Sequence, residues 1–298
     1  MRRLENAVKS VKSEHDFDFS KHTTYGLGGK ARTAYFPQNE DEAVAVYKYL
    51  KASGEKFIIL GKGSNLLVSD KYYDGSVICT KYLQGVEIDG NCLKILSGTT
   101  VQQLLSFCVK NGITGFEYLA AIPASIGGLA VMNGGTSDRR IASNIFSVKV
   151  FDGKMREFSN KNCNFGNKHS TMSDINALIL AIYAGFEWEK PEKVEENVNY
   201  FLDRRKAQPK GKSCGCVIKN PEGLSAGKII DDAGLKGMKI GGAEVSREHA
   251  NFIINNGGSS ADVYALIKSV KKSVYEMAGI NLEEEVIYIG EFNDELNC

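Results

Sequence analysis

The sequence has almost no net charge, with 37 Lys and Arg against 36 Asp and Glu, a formal +1. A chain this balanced projects no field toward nucleic acid or an anionic membrane surface, so an anionic ligand must be held by local groups. Long apolar runs are also missing. The longest, Ala177 to Phe186, is ten residues, half of the roughly 20 that a membrane span requires, and it reads as a buried strand. Met1-Arg2-Arg3-Leu4-Glu5 runs straight into charged residues with no apolar h-region, so no signal peptide is expected and the protein is expected in the cytoplasm. The seven cysteines are odd in number and lie mostly in apolar runs, which fits reduced thiols better than a disulfide framework. Cys214 and Cys216 stand one residue apart, but no second ligand pair lies near them, so no metal site is expected.

What is present is a chain of 298 residues, 43% hydrophobic, enough for two domains with real cores. Residues 1–20 read as a polar helix or arm. Asn39 stands three residues before Glu42, a helix-start signature, and Ala43, Val46, Tyr47 and Leu50 follow at helical spacing up to Gly54. Phe57 to Leu60 is a short buried strand, completing a β-α-β unit. Val86 to Leu96 reads as a hairpin around Asp89-Gly90. Thr100 and Gln103 cap a helix whose apolar face includes Cys108, a core residue and not a nucleophile. The charged Glu189 to Lys193 segment, with its proline, reads as a linker before an amphipathic helix bearing Val194, Val198, Phe201, Leu202 and Arg205. The last long helix shows Val263, Leu266, Ile267, Val270, Val274 and Met277 on one face and ends at Gly279.

Three stretches carry chemistry. Gly61-Lys62-Gly63-Ser64-Asn65-Leu66-Leu67 follows a strand directly. Its glycines let backbone N–H groups approach an anion, and Ser64 and Asn65 add side-chain donors. It is neither a Walker A loop nor a dinucleotide fingerprint, and by itself an ordinary tight turn explains it. Ala121 to Gly128, continued by Met132-Asn133-Gly134-Gly135, is a second small-residue loop; two such loops fit a diphosphate held from two sides, or are simply two loops. Ser213-Cys214-Gly215-Cys216-Val217-Ile218-Lys219-Asn220-Pro221 packs two thiols and a Lys-Asn pair together. It reads either as a loop into a strand or as a loop carrying a reacting group to a ligand.

Taken in order with Thr23 to Gly29, Gln208-Pro209, Ala226 to Asp231, Ile240-Gly241-Gly242 and Leu282 to Gly290, these stretches resemble the UDP-N-acetylenolpyruvoylglucosamine reductases, flavoenzymes of peptidoglycan precursor synthesis. The resemblance covers roughly residues 20–292 and is to the shorter form, which lacks an insertion in the last domain. It implies an α+β fold. After an N-terminal arm at 1–21, residues 22–190 would form an FAD-binding domain of the vanillyl-alcohol-oxidase (PCMH) type with two subdomains. Residues 191–298 would form a smaller α+β substrate-binding domain. It further implies non-covalent FAD, NADPH as co-substrate, a UDP-sugar substrate and a monomer, with no nucleic-acid or membrane partner. Tyr25, Gly61, Lys62, Gly63, Ser64, Asn65, Leu66, Ile122, Pro123, Ser125, Gly127, Gly128 and Asn133 would bind FAD. Gln208, Asn220, Lys228 and His249 would contact the UDP-sugar.

By the same resemblance, NADPH reduces FAD, flavin N5 gives hydride to the enolpyruvyl vinyl carbon, and an acid protonates the neighbouring carbon. The proton donor, a serine in the family, corresponds to Cys216. A thiol, ordinarily near pKa 8.5, is a stronger acid than a hydroxyl and is a competent substitute; Cys214 takes a supporting place. The family glutamate corresponds to Glu285, with Glu283 and Glu284 beside it. The family arginine corresponds to Lys168 in Phe165-Gly166-Asn167-Lys168-His169-Ser170, which keeps the charge but loses the planar fork. Ala121 and Ala124 stand at glycine positions, and Gly135-Thr136-Ser137-Asp138 replaces an aromatic-containing run. These departures leave an FAD-binding paralog with weakened or altered activity as an alternative, and the paired thiols Cys214 and Cys216 leave a redox or metal module as another.

Overall fold

The computed structural model describes residues 2–136 and 138–293, without the side chains of Arg2 and Arg3. Ser137 and the 294–298 tail with Cys298 lie outside the described residues. The chain begins with α1 (Arg2–Val8), β1 (Ser13–Asp18), β2 (Lys30–Tyr35), α2 (Glu40–Ala52), β3 (Phe57–Leu60), β4 (Leu66–Val68) and β5 (Tyr73–Cys79). Then come β6 (Val86–Asp89), β7 (Cys92–Leu96), α3 (Val101–Asn111), β8 (Ile113–Thr114), α4 (Ile126–Met132), β9 (Ile145–Phe151), β10 (Met155–Ser159) and α5 (Thr171–Asp174). The remainder is β11 (Leu178–Gly185), β12 (Glu187–Trp188), α6 (Pro191–Arg204), α7 (Ala226–Asp232), β13 (Lys239–Ile240), β14 (Ala243–Val245), β15 (Ile253–Asn255), α8 (Ser260–Ala278) and β16 (Ile287–Ile289). Residues divide into two compact units, the first being Met1–His15, Thr33–Lys62 and Gly75–Lys206, the second Asp16–Arg32, Gly63–Asp74 and Ala207–Cys298.

The first unit is built on an antiparallel sheet of order β10-β9-β11-β7-β6. The ten-residue apolar run supplies its middle strand. Leu178 and Leu180 face a cluster with Val8, Val11, Ala43, Val46, Tyr47 and Leu50, whereas Ile179, Ile182 and Ala184 face the cluster of α3 and α4. A register shift between Ile179 and Ala181 explains why the second set changes parity: a bulge moves every later side chain to the other face. Caps fall where the sequence signals them. Asn39 Oδ1 accepts from Glu42 N–H at 2.9 Å, Thr100 and Gln103 form a capping box, and Gly112 closes α3 at φ 65°. β3 runs parallel to β5 within a sheet of order β1-β2-β5-β3.

Two sequence expectations change. The 189–193 segment is not a linker: Pro191, whose missing N–H costs nothing at a helix start, opens α6, and Val194 is fully buried in the first unit's core. The first twenty residues carry more core than their composition suggests, because Phe17 and Phe19 are fully buried and meet edge-on at 5.2 Å between centroids.

The second unit packs α8 over the antiparallel sheet β13-β14-β15, with Val263, Leu266, Ile267, Val270 and Val274 in its core. Met277 is 64% exposed and falls off that face. β16 pairs in parallel with β4, Tyr288 opposite Leu67, so the C-terminal tail lies along the segment that follows Gly63. Among the described residues, no helix is long and apolar enough to cross a membrane.

Candidate active site

In the first unit the two small-residue loops come together. A Cβ built on Gly61 would lie 2.4 Å from Ser125 Oγ, and one on Gly128 would lie 3.2 Å from the same atom. A side chain at 61 would collide with Ser125, so the two loops approach this closely only with glycine there, an arrangement that suits close approach of a diphosphate. Ser125 opens α4, its Oγ accepting from Gly128 N–H at 3.3 Å. The amides of Ile126 and Gly127 are engaged by the carbonyls of Thr99 and Ser97, each at 2.8 Å. The second loop therefore contributes shape more than those amides. Ile122 is half-buried; Lys62 and Pro123 are exposed. Ala121 sits at φ 63°, the left-handed conformation that glycine tolerates best.

The turn carrying Lys168 is pinned to α4. Asn133, at φ 44°, ends the helix, and its Nδ2 donates to Gly166 C=O at 2.9 Å. Its Oδ1 accepts from Ala142 N–H at 3.3 Å. Ser170 Oγ donates to Val131 C=O at 2.8 Å. Between those two anchors Gly166 and His169 pair back to back, leaving Asn167 and Lys168 at the tip, Lys168 at φ 57°. Asn133, expected as a cofactor contact, thus has its side chain occupied in positioning that turn.

In the second unit the backbone joins the segments that carry Cys216 and Glu285 through Val217. Val217 C=O accepts from Glu285 N–H at 2.8 Å, and Lys219 N–H donates to Glu283 C=O at 2.8 Å. Cys216 itself bridges Phe252 on the other edge. Asn65 Nδ2 donates to Glu285 C=O at 2.9 Å, and Asn65 C=O accepts from Ile287 N–H at 3.0 Å. Both Cys216 and Glu285 are half-buried. The three glutamates are not equivalent. Glu284 lies 2.6 Å from Lys271 Nζ and 3.1 Å from Lys268 Nζ. Burial raises its carboxyl, but the two ammonium partners outweigh that and hold it below the usual range. Glu283 has a 78% exposed side chain, 3.5 Å from Lys219. Glu285, alone of the three, is tied at its backbone to both Val217 and Asn65.

Tyr25 is fully buried in this unit's core with Leu67, Cys214 and Val217. Its C=O accepts from Asn255 Nδ2 at 3.0 Å. Burial pushes the Tyr25 hydroxyl up strongly, and burial pushes the adjacent Cys214 thiol to about 12. Cys214 is thus protonated at neutral pH and is neither a nucleophile nor a thiolate ligand. The six described cysteines are all thiols, and among the described residues no group of three or more His, Cys, Asp or Glu is placed to hold a metal ion. Three expected substrate residues gather around α7. Asn220 Oδ1 accepts from Ala226 N–H at 2.9 Å, Lys228 pairs with Asp232 at 3.1 Å, and the His249 ring packs on Gly227. Burial of that ring holds its pKa below the usual histidine value. Gln208 is exposed and stands apart from them in the sequence.

A family profile described as UDP-N-acetylenolpyruvoylglucosamine reductase, C-terminal domain, matches residues 207–289, and one described as FAD binding domain matches 31–158. The UDP-N-acetylenolpyruvoylglucosamine reductase of Prochlorococcus marinus (strain NATL2A) is 37% identical over 293 residues, 95% of this chain and 100% of that protein. The chain belongs to the UDP-N-acetylenolpyruvoylglucosamine reductase family. The reductase of Caldicellulosiruptor saccharolyticus is 37% identical over 92% of this chain and 91% of its own length. The solved structure of the Thermus caldophilus reductase superposes with a TM-score of 0.79 at 31% identity, covering 94% of this chain and 99% of that one. The fold is accordingly α+β with a PCMH-type FAD-binding domain.

Within this reductase fold, sequence reading missed Asn251. It is 2% exposed yet lies inside the apolar run Ala250 to Ile254. A lone carboxamide among core residues was the available signal, because a buried amide must find partners.

Proposed function

We propose that the protein reduces the enolpyruvyl ether of UDP-N-acetylenolpyruvoylglucosamine to UDP-N-acetylmuramate, with NADPH as reductant and FAD as cofactor, in peptidoglycan precursor synthesis. The observation that carries this is 37% identity along 95% of the chain to a reductase matched over 100% of its length. FAD, when bound, would supply the hydride chemistry between NADPH and the vinyl carbon. The 61–66 and 122–128 loops would hold its diphosphate, with Gly61 and Gly128 letting the loops approach each other closely. Cys216 supplies the proton to the neighbouring carbon and is recharged from solvent, so that one hydride and one proton add across the double bond. Glu285 and Lys168 act beside the substrate carboxylate, where negative charge develops before protonation. Asn220, Lys228 and His249 contribute to the UDP-sugar site. In this reading Tyr25 and Asn133 support the site from behind rather than touch a ligand. The working form is a cytoplasmic monomer, which sedimentation and cell fractionation check.

Following the flavin absorption band tests the reading. NADPH should bleach it, and only the enolpyruvyl UDP-sugar should restore it rapidly. Cys216→Ser should retain measurable turnover. Cys216→Ala should leave bleaching intact and slow the restoration by about 10²-fold or more, the usual worth of a positioned acid. Restoration at the wild-type rate in the alanine variant would identify a different proton donor. A protein that bleaches but ignores the UDP-sugar would overturn the assigned substrate.

A further inference from the structure

We propose that Asn251 is a positioning residue for proton delivery, a role that rests on the reading of Cys216 as the donor. Its Oδ1 accepts from Ile218 N–H at 2.9 Å, and its Nδ2 donates to Ile218 C=O at 2.8 Å. Its own C=O accepts from Val217 N–H at 2.9 Å. One residue therefore closes both backbone groups of Ile218 and the N–H of Val217, immediately after Cys216. The carboxamide acts as a substitute peptide unit, giving 216–218 a strand partner where no strand continues. The opposite edge is closed from the C-terminal tail, Val217 C=O accepting from Glu285 N–H at 2.8 Å. The donor's segment and the segment of Glu285 are thus registered on each other by Val217, and Asn251 locks that register from behind.

The residue is 2% exposed, so a carboxamide there is costly unless its polar atoms are used. A fully apolar residue would fill the space but leave two backbone groups of Ile218 without this partner. On the far side, Asn251 N–H donates to His249 Nδ1 at 3.2 Å, which links the clamp to a proposed substrate residue. Proton transfer requires the donor within hydrogen-bond reach of its target, and a shift of about 1 Å costs about 10²-fold. Reduction of FAD by NADPH needs no acid from this segment, so the two half-reactions should respond differently.

The test uses the FAD-loaded full chain with Asn251→Ala and Asn251→Asp, alone and combined with Cys216→Ala. Asn251→Ala should leave bleaching by NADPH and the KM for the UDP-sugar within about threefold, while substrate-dependent restoration falls about 10- to 100-fold. The solvent deuterium isotope effect on restoration should rise. Iodoacetamide should capture Cys216 several-fold faster, read by peptide mass, because the segment is less restrained. Asn251→Asp keeps the acceptor for Ile218 N–H and loses the donor to its C=O, so it should fall between wild type and alanine; it carries the test if the alanine variant does not fold. Combined with Cys216→Ala, either change should add nothing further. Equal loss of both half-reactions together with bound flavin would overturn the positioning role in favour of simple scaffolding. Wild-type restoration in Asn251→Ala, with Cys216→Ala blocked, would overturn this inference alone. Wild-type restoration in Cys216→Ala would overturn the donor assignment and this inference with it.

Discussion

Ala121 adopts φ 63° in the loop that meets Gly61. The left-handed conformation costs an alanine about 1–2 kcal/mol, while glycine loses about 0.4–1 kcal/mol through its freer unfolded chain. The first effect is larger, so Ala121→Gly should stabilise the protein by about 0.5–1 kcal/mol, raising Tm by roughly 2 °C; an unchanged or lower Tm in a thermal melt would contradict the stored strain. Position 121 was legible in the sequence as an alanine where the family has glycine, but its backbone angle was not. Asn133 shows the converse. Its residue type suggests a ligand donor, and only the fold commits both side-chain atoms to Gly166 and Ala142. Residue type gives chemical capacity; the partner that uses it is set by residues distant in sequence.

Between α8 and the tail before β16, Glu284 joins the elements through Lys268 and Lys271. A run of three carboxylates before a strand reads in the sequence as a solvated face, and it hides one member that is 19% exposed at its side chain and doubly paired. Its folded pKa is lowered, so its contribution is present above the ordinary glutamate value of 4.5 and is lost as pH falls through the lowered value. At neutral pH Glu284→Gln should cost about 1–2 kcal/mol, intermediate between exposed and buried pairs. The difference from wild type should shrink below pH 4.5. Urea melts at neutral and acidic pH measure it, and a gap that persists in acid would show that packing, not charge, is responsible. Helix ends were legible at this scale, since Thr100, Asn39, Gly112 and Gly279 act within one turn of their own sequence. The bulge in β11 was not, because only pairing with β9 creates the register shift that sends Ile182 to the face of Ile179.

For the whole molecule, a cofactor that binds only the folded chain adds stability by mass action. At 100 times its dissociation constant, free FAD should contribute about 2.7 kcal/mol, raising Tm by several degrees relative to the stripped protein. Scanning calorimetry of stripped and reloaded protein checks this; identical melts would show that the two loops do not form the cradle. Gly61→Ala, whose methyl would meet Ser125 Oγ, should abolish the difference. The order of motifs, most helix caps, the apolar central strand and the thiol at position 216 are read directly from the sequence, because they depend on local propensity or on residue type at a motif position. Long-range packing selects the glutamate that meets two lysines, sets Asn251 against the backbone after Cys216 and assembles each compact unit from segments far apart in the chain. Parallel pairing of β4 with β16 sets Leu66 opposite Ile287, and a pairing of that sequence separation leaves no local pattern to read. The two thiols one residue apart are told apart the same way: burial keeps Cys214 protonated in the core, while Val217, next to Cys216, is paired to Glu285.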